Sequence, residues 1–262
     1  MPGLVIGGKE VLVPGLNIIN YRDDPRCALK LGKEMRIRNT RWVRAIGHHN
    51  TKNIETTLLP GAGKPVSLAI RLVDFWSLDS TKPAGAHTCV DCDGTVYCMA
   101  DLLLMAAYHA GLWNEVSVGN EIYEDSKGRI YQAQLDATVK LTEFLCQYFG
   151  IQRQCPPPGY PEIKRIADNI MRGKDCVGVF GHCHQWQAGK AHDPGRHLFE
   201  ALIAAGFRTF DFNKLEDKEY WSDIQTKMGL QADGVPGPDT RDALHARGFE
   251  HGLYDFHTAV TL

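Results

Sequence analysis

The stretch at residues 181–195, GHCHQWQAGKAHDPG, places three histidines, a cysteine, a lysine and an aspartate between two glycines. Imidazole nitrogen, thiolate sulfur and carboxylate oxygen are the ligand atoms that zinc takes from protein side chains. The spacing therefore raises the possibility of a metal site, and it leaves open which of these side chains are the ligands.

Further histidines lie where predicted strands end. The segment RWVRAIG predicts a strand that ends at His48 and His49, and CVGVFGH predicts one that ends at His182. Because neighbouring strands can end at one edge of a sheet, two of these imidazoles could meet there. Asp193 could reach the same point from the following loop. Two histidines and one aspartate leave a fourth position for water, as in catalytic zinc sites.

Hydrolysis at such a site also needs a group that takes a proton from water and returns it to the leaving group. Glu121, within VGNEIY, lies in a predicted strand that otherwise shows an alternating pattern of apolar residues. An ionised carboxylate is unfavourable there unless it has a partner or a function. Glu121 is therefore the candidate general base and acid.

Each of these residues also has an ordinary structural interpretation, as a hydrogen-bonded histidine or a solvated glutamate at a strand end. Cys89 and Cys92 offer a different metal site, because a C-x-x-C motif can be half of a zinc knuckle. The sequence contains no second C-x-x-C, which weighs against this alternative.

The elements that would position these residues alternate between strands and helices. LVIGGKEVLV predicts an N-terminal hairpin, followed by a polar arm to about Arg38. Asp93-Gly94 predicts a hairpin turn within residues 86–98, and EVSVGNEIY predicts another strand. Helices are predicted for residues 133–149 and for GRHLFEALIAAG, with Gly206 as its C-cap. A third helix is predicted because Val66, Ala69, Ile70, Val73 and Trp76 would form one apolar stripe along it.

This alternation predicts an α/β domain over residues 1–212, with a mixed central β-sheet flanked by helices. Its core spans about residues 40–206, after the N-terminal arm. Residues 213–262 predict a separate, small, all-α C-terminal domain, since two short amphipathic helices surround a Gly/Pro turn there.

Composition excludes several classes of protein. With 44% hydrophobic residues and a formal net charge of −2, the chain is predicted to fold and to bind neither nucleic acid nor a membrane surface. The N-terminal segment lacks the pattern of a signal peptide, and no apolar run approaches the roughly 18 residues of a membrane span. We therefore expect synthesis in the cytoplasm and free thiols at the eight cysteines.

Four blocks of the sequence resemble the zinc-dependent N-acetylmuramoyl-L-alanine amidases of the phage-lysozyme and peptidoglycan-recognition-protein type. They follow the family's order across residues 45–195 and are AIGHHNT, AHTCVDCDGTVY, AYHAG with SVGNEIY, and GHCHQWQAGKAHDPG. The resemblance implies the amidase fold, a zinc cofactor and a peptidoglycan substrate.

The resemblance also implies roles for individual residues. The first zinc ligand in the family is the histidine two residues before a Thr or Ser, which favours His49 (with Thr51) over His48. The second ligand is His182 rather than His184, and the third is Asp193. Glu121 occupies the position of the catalytic acid and base.

Lys190 resembles the family's oxyanion-stabilising lysine but is displaced by one residue. The family often has this lysine two residues before the third ligand, whereas Lys190 lies three before Asp193 and two before His192. His192 therefore stays open as the third ligand, although an Asp-Pro-Gly start to a helix favours Asp193. His87 and His109 match family positions near the groove and can equally be structural histidines.

The implied reaction is cleavage of the amide bond between N-acetylmuramic acid and L-alanine in peptidoglycan. The tail adds DGVPGPDT at residues 233–240, which resembles a small peptidoglycan-binding domain. Together these features predict a phage-type endolysin that reaches the wall through lysis, a holin or a secretion system. The alternatives are a recognition protein that binds without cutting and a zinc peptidase that cuts within the stem peptide.

Overall fold

A computed structural model describes residues 2–39, 43–51, 67–78, 83–124, 129–156, 158, 178–184, 193–209, 222, 225–226 and 228–234. Lys190 and His192 lie outside these residues, as does most of the predicted C-terminal domain. The predictions made for them therefore stay predictions.

A six-stranded mixed sheet forms the centre of the described chain. From one edge to the other, its strands are β11 (Gly178–Gly181), β5 (Ala45–Asn50), β9 (Ser117–Ile122), β6 (Thr88–Val90), β7 (Val96–Cys98) and β3 (Ile18–Asn20). The first four run parallel, β7 is antiparallel to β6, and β3 is parallel to β7. The predicted mixed sheet and the hairpin around Asp93-Gly94 are confirmed.

Helices cover both faces of this sheet and are α1 (Leu68–Leu78), α2 (Gln132–Phe149) and α3 (Arg196–Ala204). Helices α2 and α3 pack on the face that carries Ile46 and Val118, and α1 packs on the opposite face against Cys89. Of the predicted stripe, Ala69, Val73 and Trp76 are buried and Ile70 is half-buried, whereas Val66 lies outside the described residues. The flanked α/β fold expected from the alternating pattern is therefore present.

Gly150 ends α2 where the sequence predicts. Its φ of +66° lies in the left-handed region, which glycine adopts without a side-chain penalty, and its N–H donates to the carbonyl of Cys146. None of the described helices is long and apolar enough to cross a membrane.

Three two-stranded sheets accompany the central sheet among the described residues. The pairs are β1 (Leu4–Ile6) with β2 (Lys9–Val11), β4 (Met35–Ile37) with β8 (Met105–Ala107), and β10 (Gln154–Cys155) with β12 (Arg208–Thr209). The first pair is the predicted N-terminal hairpin. Asp101 anchors its turn, since the carboxylate accepts the N–H groups of Gly7 and Gly8 at 3.0 and 2.7 Å.

Two expectations about the first fifty residues are wrong. The segment predicted as a polar arm contains β3, an edge strand of the central sheet, and β4. Both strands are three residues long, too short for an alternating pattern to be evident. The strand predicted to end at His48 and His49 instead includes both and extends to Asn50.

Candidate metal centre

The parallel strands bring the predicted site residues to one edge of the sheet. His49 in β5 pairs directly with Glu121 in β9, and His48 pairs with Gly181, the last residue of β11. His182, the next residue after β11, therefore lies beside His49. The carboxyl ends of parallel strands are the usual place for a site in such sheets.

His49, His182 and Asp193 form a buried cluster at this edge. Nδ1 of His49 lies 3.0 Å from Nδ1 of His182, which lies 3.2 Å from Oδ2 of Asp193. One ligand atom of each residue lies within 4.8 Å of the other two. Zinc–nitrogen bonds of about 2.0–2.1 Å in a tetrahedral site place neighbouring ligand atoms about 3.3 Å apart. The spacing and the donor types therefore fit zinc.

His48 lies outside the cluster because side chains alternate between the two faces of β5. Its Nδ1 accepts from the amide nitrogen of Asn120 at 3.1 Å. Its Nε2 lies 3.2 Å from the hydroxyl of Thr142 in α2, which donates its own proton to the carbonyl of Thr138. Burial lowers the pKa of His48 to about 3. His48 is thus a neutral histidine packed beneath α2.

Asn50 binds Asp193 directly, and a second carboxylate, Glu124, binds both Asn50 and the backbone two residues after Asp193. The N–H of Asn50 donates to Oδ1 of Asp193 at 2.7 Å, which leaves Oδ2 toward His182. The fully buried Glu124 accepts from the Asn50 side chain at 2.6 Å and from the N–H of Gly195 at 2.8 Å. Sequence reasoning missed Glu124, although an acidic residue three positions after Glu121 at a buried strand end was a usable signal.

Pro194 does not occupy the first turn of α3, contrary to the expectation from Asp-Pro-Gly. Helix α3 begins at Arg196 with Gly195 as its N-cap, so Pro194 precedes the cap. The N–H of Gly195 is bound by Glu124 rather than by a side chain of the loop itself. The Asp193-Pro194 peptide bond is cis.

The other potential ligands of the opening stretch have different surroundings. Nδ1 of His184 accepts from the N–H of Gly181 at 2.9 Å, and its ring packs edge-on against Phe199. Burial lowers the pKa of His184 to about 4. Burial also raises the pKa of the Cys183 thiol to about 12, which disfavours the thiolate that a metal requires.

The alternative site at Cys89 and Cys92 finds no support among the described residues. Cys89 is buried in the apolar cluster beneath α1. Burial raises the pKa of Cys89 well above its usual value and that of Cys92 to about 12. The seven described cysteines are free thiols, as expected.

His109 and His87, which the sequence left without an assigned role, differ in position. Nε2 of His49 lies 2.9 Å from Nδ1 of His109, so His109 touches the cluster. Burial, followed by the neighbouring imidazoles, holds the pKa of His109 well below its usual value. His87 instead accepts from the N–H of Gly119 and donates to the carbonyl of Met105, both at 2.9 Å. His87 therefore ties two segments of the fold together.

A half-buried glutamate beside a cluster of two histidines and one carboxylate has the composition of a metal-dependent hydrolase site. The sequence matches the family described as N-acetylmuramoyl-L-alanine amidase (Amidase_2) over residues 39–196. The match covers more than half of the chain, and the chain belongs to this family.

Comparison with solved structures gives similar proteins at low sequence identity. The endolysin N-acetylmuramoyl-L-alanine amidase LysCS of Clostridium intestinale URNW is 15% identical, with a TM-score of 0.45 over 72% of this chain and 94% of that one. Drosophila PGRP-LB is 16% identical, with a TM-score of 0.46 over 74% and 96%. Drosophila PGRP-SA is 15% identical, with a TM-score of 0.45 over 75% and 95%. No curated protein matches the sequence.

Proposed function

We propose that this protein is a zinc-dependent peptidoglycan amidase that cleaves the bond between N-acetylmuramic acid and L-alanine. The observation that carries the proposal is the buried cluster of His49, His182 and Asp193 beside Glu121, within a chain of the amidase family. The three cluster residues are the proposed zinc ligands.

Zinc held by these residues supplies a Lewis acid that polarises the substrate carbonyl and lowers the pKa of water to about 7. Glu121 is the proposed proton carrier, because the β5–β9 pairing places it on the same face of the sheet as His49. Its carboxylate accepts a proton from the attacking water and delivers it to the amine of the departing L-alanine. Lys190 is proposed to stabilise the negative charge that develops on the carbonyl oxygen.

Product analysis tests this function. Purified protein incubated with peptidoglycan should release free amino groups and leave intact glycan strands, and mass analysis should find stem peptides that begin with L-alanine. Release of reducing ends would reject the amidase in favour of a glycosidase. Cleavage inside the stem peptide would identify a zinc peptidase, and binding without any cleavage would identify a recognition protein.

The proposed cellular role is that of a lysin acting on the wall after release by lysis, a holin or a secretion system. Residues 213–262 are the proposed wall-binding domain. In its described part, Gln225 joins Asp233 and Gly234 with hydrogen bonds of 2.7 and 2.8 Å, which supports an ordered Asp-Gly turn. A chain truncated at residue 212 should keep its activity on soluble muropeptides and sediment less with whole cell walls.

A further inference from the structure

The ring of His109 contacts the proposed metal ligand His49 and lies against Gly47 and Gly119, two glycines of the sheet that we call the glycine slot. Gly47 and Gly119 pair with each other in β5 and β9. A Cβ atom on Gly119 would lie 2.5 Å from Cγ of His109, and one on Gly47 would lie 3.1 Å from its Cε1. A glycine is therefore required at position 119 for the ring to occupy this position, and a side chain at position 47 would make a tight contact with it.

The backbone of His109 is fixed as well. Oδ1 of Asn114 accepts the N–H of His109 at 3.0 Å and that of Ala110 at 2.7 Å. With the ring in the glycine slot and the backbone bound by Asn114, the imidazole has a defined orientation toward His49.

Hydrogen bonds beyond the ring determine which of its nitrogens carries a proton. Oγ of Ser117 lies 2.6 Å from the carbonyl oxygen of Trp113 and 2.9 Å from Nε2 of His109. A carbonyl only accepts, so Ser117 donates its single proton to Trp113. Ser117 then presents a lone pair to His109, and Nε2 of His109 must be the donor.

The position of the proton on His109 also determines which ring nitrogen of His49 carries a proton. A second proton, on Nδ1 of His109, would make the ring a buried cation, which is unfavourable without a paired charge. Nδ1 of His109 therefore accepts from Nε2 of His49 across their 2.9 Å contact. A neutral His49 with its proton on Nε2 has its lone pair on Nδ1, the atom that lies 3.0 Å from His182.

We propose that His109 is a positioning residue that fixes His49 in the tautomer able to bind metal through Nδ1. Metal-ligating histidines usually donate the N–H of their second ring nitrogen to a fixed partner, and loss of that partner commonly weakens metal binding about 10–100-fold. Here the partner is another histidine, whose own proton position is set by Ser117. The role in metal binding rests on the proposed zinc site, whereas the tautomer itself is a property of the metal-free chain.

Long-range proton–nitrogen NMR correlations on metal-free protein with labelled histidine test the tautomer directly. We expect His49 to carry its proton on Nε2 and His109 on its own Nε2. A proton on Nδ1 of His49 would overturn the proposal. This experiment decides the inference even if the protein binds no zinc, so failure of the proposed function is distinguishable from failure of this proposal.

The matched variants His109→Asn and His109→Leu separate hydrogen bonding from packing, since the two new side chains are nearly equal in size. Oδ1 of Asn can replace Nδ1 of His109 as the acceptor, whereas Leu cannot accept. Zinc affinity, measured by chelator competition, should stay within about threefold of the wild type for Asn and fall about 10–100-fold for Leu. Equal affinities of the two variants would overturn the proposal, because they would show that the acceptor does not matter.

Discussion

His49 and Glu121 are direct neighbours across the parallel pairing of β5 and β9. One backbone register therefore sets the position of a proposed zinc ligand relative to the proposed proton carrier. The same register pairs Gly47 with Gly119, two residues earlier on each strand. These two glycines form the slot that the ring of His109 occupies. A slip of one residue between the two strands would leave the side chains of His49 and Glu121 on opposite faces of the sheet.

Replacing the carboxylate of Glu121 should separate proton transfer from metal binding. Glu121→Gln keeps the size of the side chain but cannot carry the proton, so kcat should fall about 10²–10⁴-fold. Zinc content should stay at one ion per chain, because Glu121 is not among the cluster residues. Amine release and metal analysis on the same preparation check both expectations. Glu200→Gln, at a half-exposed site on α3, is the control and should match the wild type.

The adjacent histidines of β5 provide a matched pair for locating the metal. His49→Ala removes a cluster member and should abolish stoichiometric zinc binding. His48→Asn should keep one zinc per chain, because His48 bonds to Asn120 and Thr142 on the opposite face. Metal analysis after dialysis measures the difference. Loss of zinc from the His48 variant with retention in a folded His49 variant would reverse the assignment.

Much of this arrangement is predictable from the sequence because it depends on local patterns. The strand that contains His49, the strand that precedes His182, the Asp-Gly hairpin and the glycine that ends α2 each leave a signal within a few residues. The choice between His48 and His49 required the resemblance to a family, since alternation alone does not say which face is covered. The structure supplies the missing information by placing α2 over His48.

The roles of the supporting residues could not be predicted, because those roles depend on contacts between distant segments. His109 follows β8 and meets His49 across sixty positions of sequence. Its ring lies against glycines on two different strands, and neither glycine is informative alone. Glu124 likewise acts through Gly195, seventy-one residues away. The three-residue strand β3 was missed because it is too short to show a period.

Glu124 should stabilise the loop that carries Asp193. Glu124→Gln places an amide NH₂ group where the carboxylate accepts from Asn50 and Gly195, so one of the two buried donors loses its acceptor. A lost buried hydrogen bond costs about 1–3 kcal/mol. Urea unfolding of the metal-free protein should show this loss, and zinc affinity should fall with it. An unchanged free energy of unfolding and an unchanged zinc affinity would show that Glu124 does not support the loop.

The metal-free protein should become less stable in mild acid, partly because His87 is buried in its neutral form. Burial, and then the charge of Arg38, lower the pKa of His87 from 6.5 to about 3. The unfolded chain thus binds a proton between these values that the folded chain does not. Stability is complete above about pH 6.5 and declines toward about pH 3, by about 1.4 kcal/mol per pH unit for this residue.

The variant His87→Asn isolates this contribution. It should lower the free energy of unfolding at neutral pH, since the hydrogen bond to Met105 is lost. It should also reduce the slope of the free energy of unfolding against pH by the equivalent of about one bound proton. Urea unfolding with a chelator present, compared at about pH 7 and about pH 5, measures the slope. His197→Asn, at a half-exposed site on α3, is the control for the substitution itself. A wild-type slope in the His87 variant would mean that burial of neutral His87 does not lower the stability of the protein in acid.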